Sequence, residues 1–118
     1  MTNEVVSLSS KLDTFSEHWS PRTVGVFNGH DLMVVKAKGE FVWHSHADTD
    51  DFFLVIAGKL KVEMRDRTVQ LNAGEMFVVP KGVEHPTVAE DEAHLLLIEP
   101  TGTPNTGAIS TAAVRILA

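Results

Sequence analysis

Between residues 23 and 99 the chain is cut into short apolar runs, each closed within a few residues by turn-forming side chains. Val24, Val26 and Phe27 run into Asn28-Gly29, a strong hairpin pair. Residues 32–35 form the next run, which Lys38-Gly39 breaks. Residues 41–46 read as another strand, followed by an acidic loop over 47–50. Residues 52–57 are apolar on both faces, as in a buried strand. Gly58 turns the chain. Leu60, Val62 and Met64 then alternate with Lys59, Lys61, Glu63 and Arg65, the pattern of a half-buried strand. Asp66-Arg67 turns it again, and Val69 and Leu71 alternate with Thr68 and Gln70. Asn72-Ala73-Gly74 reads as a turn, 76–79 as a strand and Pro80-Lys81-Gly82 as a turn. A last strand region covers 87–88 and 94–99, interrupted by a turn at Glu90-Asp91-Glu92. Many short strands at this spacing predict an all-β sandwich or barrel.

The ends differ in character. Residues 1–8 carry no strong pattern and read as an arm. Ser9, Ser10 and Asp13 are candidate caps for a short helix over 11–19, with Leu12 and Phe15 on one side and Pro21 closing it. Residues 100–107 are a Gly/Pro/Thr loop. The tail is compatible with a strand, a short helix or disorder. The expected division is an arm with helix over 1–22, a barrel over 23–107 and a tail over 108–118.

Composition narrows the chemistry. With 118 residues the chain suits one domain with one modest core. It has no cysteine, so a disulfide scaffold, a Cys-ligated metal and a thiol nucleophile are excluded. It has no tyrosine to serve as a general acid or base. A net charge of -6 argues against a nucleic-acid partner, because phosphate-backbone binding relies on clustered Lys and Arg. No apolar stretch of about 18 residues is present, so no membrane span is expected. Residues 1–10 lack a basic region followed by an apolar block, which leaves the cytoplasm as the expected location.

Any metal site must therefore use His, Asp and Glu, and there are six histidines. His44 and His46 lie two apart on an expected strand, so both rings project from one face. His85 follows the Pro80-Lys81-Gly82 turn. Asp48, Asp50 and Asp51 stand just after the pair and could add a carboxylate. Two or three His plus one carboxylate suits zinc, iron, nickel, cobalt or manganese. The competing reading is surface or structural histidine, and it is the better one for His18, His30 and His94, which have no partner in sequence.

The punctuation around these residues resembles the cupin superfamily. Gly39, His44-Ser45-His46, Asp51 and then Gly58 follow the spacing of its first motif. Gly74, Pro80-Lys81-Gly82 and His85 follow the second. Glu17-His18-Trp19-Ser20-Pro21 and Glu99-Pro100-x-Gly102-Thr103-x-Asn105-Thr106-Gly107 look like one group of small single-domain bacterial cupins, often labelled mannose-6-phosphate-isomerase-like by analogy. Two positions depart from the pattern: Asp51 stands where Glu is usual and Ala89 where Asn is usual. The aspartate is shorter by one methylene, about 1.5 Å of reach.

The resemblance implies a cupin double-stranded β-helix, a jelly-roll barrel with a short N-terminal helix. It implies a divalent metal ion (zinc, iron, nickel or manganese) held by His44, His46, His85 and Asp51, with direct ligation by Asp51 left open. Asp50 is the alternative carboxylate. Phe53 and Val55 share the parity of Asp51, and Leu60, Val62 and Met64 line the inner face of their strand. These five make either an apolar pocket for a small organic ligand or simple core filling. Trp43 should face away from the histidines, packing between sheets or at a subunit interface. Edge strands and the arm make a homodimer the expected assembly. The implied function is a small-molecule metalloenzyme of dioxygenase, isomerase or lyase type. The alternatives are a non-catalytic binding or sensing protein, and a structural barrel that has lost its metal. No catalytic residue is singled out. The missing tyrosine speaks against a sugar-epimerase mechanism, and the missing inward Arg/Lys cluster against a sugar-phosphate substrate.

Overall fold

The computed structural model describes residues 4–41, 48–102 and the backbone of 116–117. One short helix, α1 (Leu8–Leu12), precedes strands β1 (Arg22–Phe27), β2 (His30–Phe41), β3 (Asp51–Ala57), β4 (Lys59–Glu63), β5 (Thr68–Asn72), β6 (Met76–Val79), β7 (Thr87–Pro100) and β8 (Ile116–Leu117). The sheet order is β5-β4-β7-β2-β1-β8, with β3 joining β7 to β6. All pairings are antiparallel except β1 with β8. This is the expected all-β jelly roll with one short helix. No helix among the described residues is long and apolar enough to cross a membrane.

β7 organises the barrel. β2 lies along one of its edges for nearly its whole length. Its other edge pairs first with β4, at Thr87 and Val88, and then with β3, from His94 to Ile98. The change of partner occurs at Glu90-Asp91-Glu92. Sequence predicts a turn there, but the strand continues. Ala37 pairs with Ala93 and Gly39 with Ala89, so three residues of β7 face one, Lys38, on β2. The acidic triplet is thus a large bulge, which bends a strand without ending it. Lys38-Gly39 is likewise the β2 side of this bulge and not a break. Gly58 packs against the bend. Its φ is +83°, and a Cβ there would lie 2.9 Å from the Glu92 carbonyl oxygen.

The strands bury both faces. Inside, Val35, Val55, Leu60, Val62, Val79 and Leu95 share one cluster at almost zero exposure. Each fully buried aliphatic contributes about 1.5–3 kcal/mol. Outside, residues of opposite parity, Val34, Ile56 and Leu96, pack beneath Leu12 and Phe15. This explains the double-sided apolar run over 52–57.

The helix differs from expectation in its position. Ser7 is its N-cap, accepting from the Ser10 N–H at 3.3 Å. It stops early because Thr14 Oγ1 donates back to the Lys11 carbonyl at 2.6 Å. The following segment runs across the barrel. Lys36 Nζ donates to the Phe15 carbonyl at 2.6 Å, and the Trp19 N–H donates to the Lys36 carbonyl at 2.7 Å. His18 Nε2 donates to Glu92 at 2.8 Å, and His94 adds a second contact. These two hydrogen bonds, His18 first, hold the Glu92 carboxyl below the usual carboxylate range. At the other end, β8 gives the tail a strand at Arg22 and Thr23 of β1.

Two glycine substitutions separate backbone strain from crowding. Gly74 has φ +85° with nothing near its missing Cβ. Gly74→Ala should cost about 1–2 kcal/mol in urea unfolding, the left-handed backbone penalty. Gly58→Ala adds a collision with β7 backbone and should cost at least about 1 kcal/mol more.

Candidate metal centre

His85 and Asp51 come together inside the barrel. Asp51 opens β3 and points inward with Phe53 and Val55, following the alternation of the strand. His85 arrives from the loop between β6 and β7. That loop is held at several points. The Val83 N–H closes the turn onto the Pro80 carbonyl, and the Lys81 N–H donates to Asp50 Oδ1 at 3.0 Å. The Pro86 carbonyl accepts from the Glu63 N–H at 2.9 Å. Asp50 therefore secures the His85 loop from an exposed position, while Asp51 takes the inward one.

The imidazole is oriented through both nitrogens. Nδ1–H donates to the Val83 carbonyl at 2.7 Å, because a carbonyl can only accept. Nε2 lies 2.5 Å from Asp51 Oδ2, within hydrogen-bonding distance. The two side chains are 1% and 5% exposed. Phe53 meets the ring edge-on at 5.9 Å. Fixing Nδ1 as the donor leaves Nε2 to present a lone pair, the arrangement by which outer partners orient a metal-binding histidine. His85 and Asp51 are the described residues that would contribute to holding a divalent cation, and binding one would require both to be deprotonated at the liganding atoms. Two residues before Asp51, Thr49 Oγ1 is buried with no hydrogen-bond partner among the described residues. These features suit a divalent cation.

His44 and His46 lie outside the described residues, as does Trp43. Among the described residues no cluster of three or more potential ligands forms. His18, His30 and His94 make hydrogen bonds to other partners. His18 and His94 share Glu92, and His30 Nδ1–H donates to the Asn28 carbonyl at 2.8 Å.

A small pocket, with about 30 Å³ of free space, reaches Asp51. Of the five apolar residues proposed from sequence, Phe53 lines it. Val55, Leu60 and Val62 have zero exposure within the core cluster, and Met64 is half-buried just past the end of β4. Among the described residues the lining also includes Trp19, Phe41, Leu95 and Leu97, together with Glu99 and Asp51. Trp19 stacks on Phe41 at 5.0 Å, and its Nε1–H donates to the Lys38 carbonyl at 2.8 Å. The resemblance had included Trp19 and Glu99 without giving either a role. Inward parity with Leu95 and Leu97 marks Glu99 as a carboxylate facing the core.

Removing one member of the buried pair should be costly. Asp51→Ala leaves His85 buried without its partner and should destabilise the protein by about 3–5 kcal/mol in urea unfolding with chelator present. Asp51→Ala combined with His85→Leu should recover part of that loss.

Comparison with known proteins agrees with this architecture. The Cupin_2 family, described as a cupin domain, matches residues 31–99. A cupin-2 domain protein from Shewanella frigidimarina is 47% identical with a TM-score of 0.80, covering 81% of this chain and 94% of that one. The uncharacterized protein YdbB of Bacillus subtilis is 33% identical over 66 residues, 55% of this chain and 58% of YdbB. The chain thus spans less than two-thirds of that relative's length. Hydroquinone 1,2-dioxygenase PnpCD, crystallised with Cd2+ and 4-hydroxybenzonitrile, shares the fold at 17% identity. Its TM-score is 0.70, with 98% of this chain and 85% of that chain covered. Family match, strand order and the inward His85–Asp51 pair agree: the chain belongs to the Cupin_2 family of cupin domains.

Proposed function

We propose that this protein is a metal-binding cupin acting on a small organic molecule, with a divalent ion held by His44, His46, His85 and Asp51. The observation that carries this reading is the convergence of His85 Nε2 and Asp51 Oδ2 at 2.5 Å beside an apolar pocket. A divalent metal there supplies Lewis-acid polarisation of a substrate oxygen and, if iron, oxidative chemistry. The chain's own residues do the rest. The Val83 carbonyl keeps Nε2 aimed inward. Trp19, Phe41, Phe53 and Leu97 wall off water and favour an apolar body on the ligand. The dioxygenase of the same fold that holds Cd2+ with 4-hydroxybenzonitrile supports oxygenase chemistry as the first type to test, ahead of isomerase or lyase chemistry.

A second reading has its own observation. The short His85–Asp51 hydrogen bond satisfies both buried groups without a metal, which suits a non-catalytic binding protein. Elemental analysis separates the two. The purified protein should carry near-stoichiometric divalent metal, lost in His46→Ala and in His85→Ala. Iron as that metal would direct oxygen-uptake screens with phenols. No metal after reconstitution with zinc, iron, nickel and manganese would overturn the metalloenzyme reading.

The assembly we propose is a homodimer in the cytoplasm. Met76 and Val78 of β6 are 55% and 41% exposed, and among the described strands β6 pairs only with β3. An apolar open edge of this kind favours pairing with a second copy. Val78→Lys should shift the protein from dimer to monomer in size-exclusion chromatography with light scattering.

A further inference from the structure

The pocket beside Asp51 is too small as it stands for an organic ligand, because about 30 Å³ of free space has room for water alone. Its walls differ in how firmly they are held. Among the described lining residues, all but Trp19 and Pro21 lie on β2, β3 or β7. Those strands are paired in ladders and cannot retreat without breaking the barrel. Trp19 sits on the segment between α1 and β1. Phe15 and Pro21 are buried toward the ends of that segment, and residues 16–20 between them are exposed or half-buried.

An isolated bridge between His18 and Lys36, not a ladder, ties residues 16–20 to the barrel. The Trp19 N–H and Nε1–H donate to the Lys36 and Lys38 carbonyls at 2.7 and 2.8 Å, and the indole stacks on Phe41. His18 fastens the segment to Glu92 at 2.8 Å, through side chains 37% and 42% exposed. An exposed pair of this kind is weak. Trp19 has φ +56°, a left-handed backbone that a bulky side chain rarely adopts. Lifting the segment relieves that strain, which favours opening.

We propose that residues 16–20 form a strap that gates the pocket, with Trp19 as the residue that determines what enters. With the strap closed the indole fills the space, and a ligand binds only with the strap lifted. The closed strap is an autoinhibitory contact, and Glu92, which lies outside the described lining, is its latch. This rests on the reading of the pocket as a small-molecule site. Because ligand binding and closure exclude each other, apparent affinity scales with the open fraction.

The test is hydrogen exchange followed by nuclear magnetic resonance, with phenol as the probe ligand. The Trp19 indole signal is identified by its loss in Trp19→Phe. In the wild-type protein the Trp19 N–H and Nε1–H should be protected at least about tenfold less than the amides of the β2–β7 ladder. Glu92→Ala should lower that protection by a further factor of about two to five and leave the ladder unchanged. His18→Ala should do the same from the strap side, and it serves as the test if Glu92→Ala does not fold. Phenol, followed by the Phe53 and Leu97 amide signals, should bind each variant more tightly by the factor measured in exchange. In a Trp19→Ala background, Glu92→Ala should no longer change phenol affinity. Strap protection equal to that of the ladder would overturn the proposal. An equal loss of protection in strap and ladder would mark global destabilisation and overturn it too. A strap that opens without changing phenol affinity would overturn the gate and leave the small-molecule reading standing. Phenol that shifts no pocket signal in any of these proteins would overturn the gate and that reading together.

Discussion

The double pairing of β7 is the constraint on which the rest of the structure depends. One strand of 14 residues has β2 along one edge and exchanges β4 for β3 along the other. A straight strand could not serve partners that wrap around a barrel. The three-against-one bulge at Glu90-Asp91-Glu92 supplies the bend, and Gly58 leaves room for it. Because every inward side chain on β7 takes its phase from that bulge, so do Ala89, Ala93, Leu95 and Glu99.

The candidate site inherits its rigidity from this frame. Asp51 sits at the start of β3, which is paired on both sides. His85 sits on a loop, where a mobile ring would be a poor ligand. Contacts from Asp50 and Glu63, with the Val83 carbonyl on Nδ1, remove that freedom. The N-terminal segment adds the pocket wall. Trp19 reaches Phe41 only because Phe15, His18 and Trp19 itself are tied to Lys36 and Glu92. The arm is thus part of the site, although it precedes the barrel in sequence.

Some of this was legible in residue order. Alternation along 59–65 and the turn residues at 28–29, 58 and 72–74 locate strands that form. Motif spacing brings out Asp51 and His85, and they meet. The misreadings have physical causes. A run of three acidic residues is as compatible with an exposed bulge as with a turn, and partner strands decide between them. The helix begins at Ser7, because hydroxyl capping can start at any of several serines, and ends early through Thr14. For Val55, Leu60 and Val62 the sequence left filled core and lined pocket both open, because the two share one parity; all three point inward at zero exposure.

The sequence by itself determined which side chains face inward, where the chain turns, and that His85 and a carboxylate near 51 are candidates for one centre. Those properties are local: they follow from the period of a strand and the backbone preferences of Gly, Pro and Asn. Only the tertiary structure decided that Glu99 lines the same pocket as Asp51, that Trp19 forms part of its wall and that Asp50 secures a loop while Asp51 faces inward. These depend on register between strands remote in the chain. A one-residue slip in that register sends every side chain to the opposite face, and it is set by bulges and packing that no short stretch of sequence encodes.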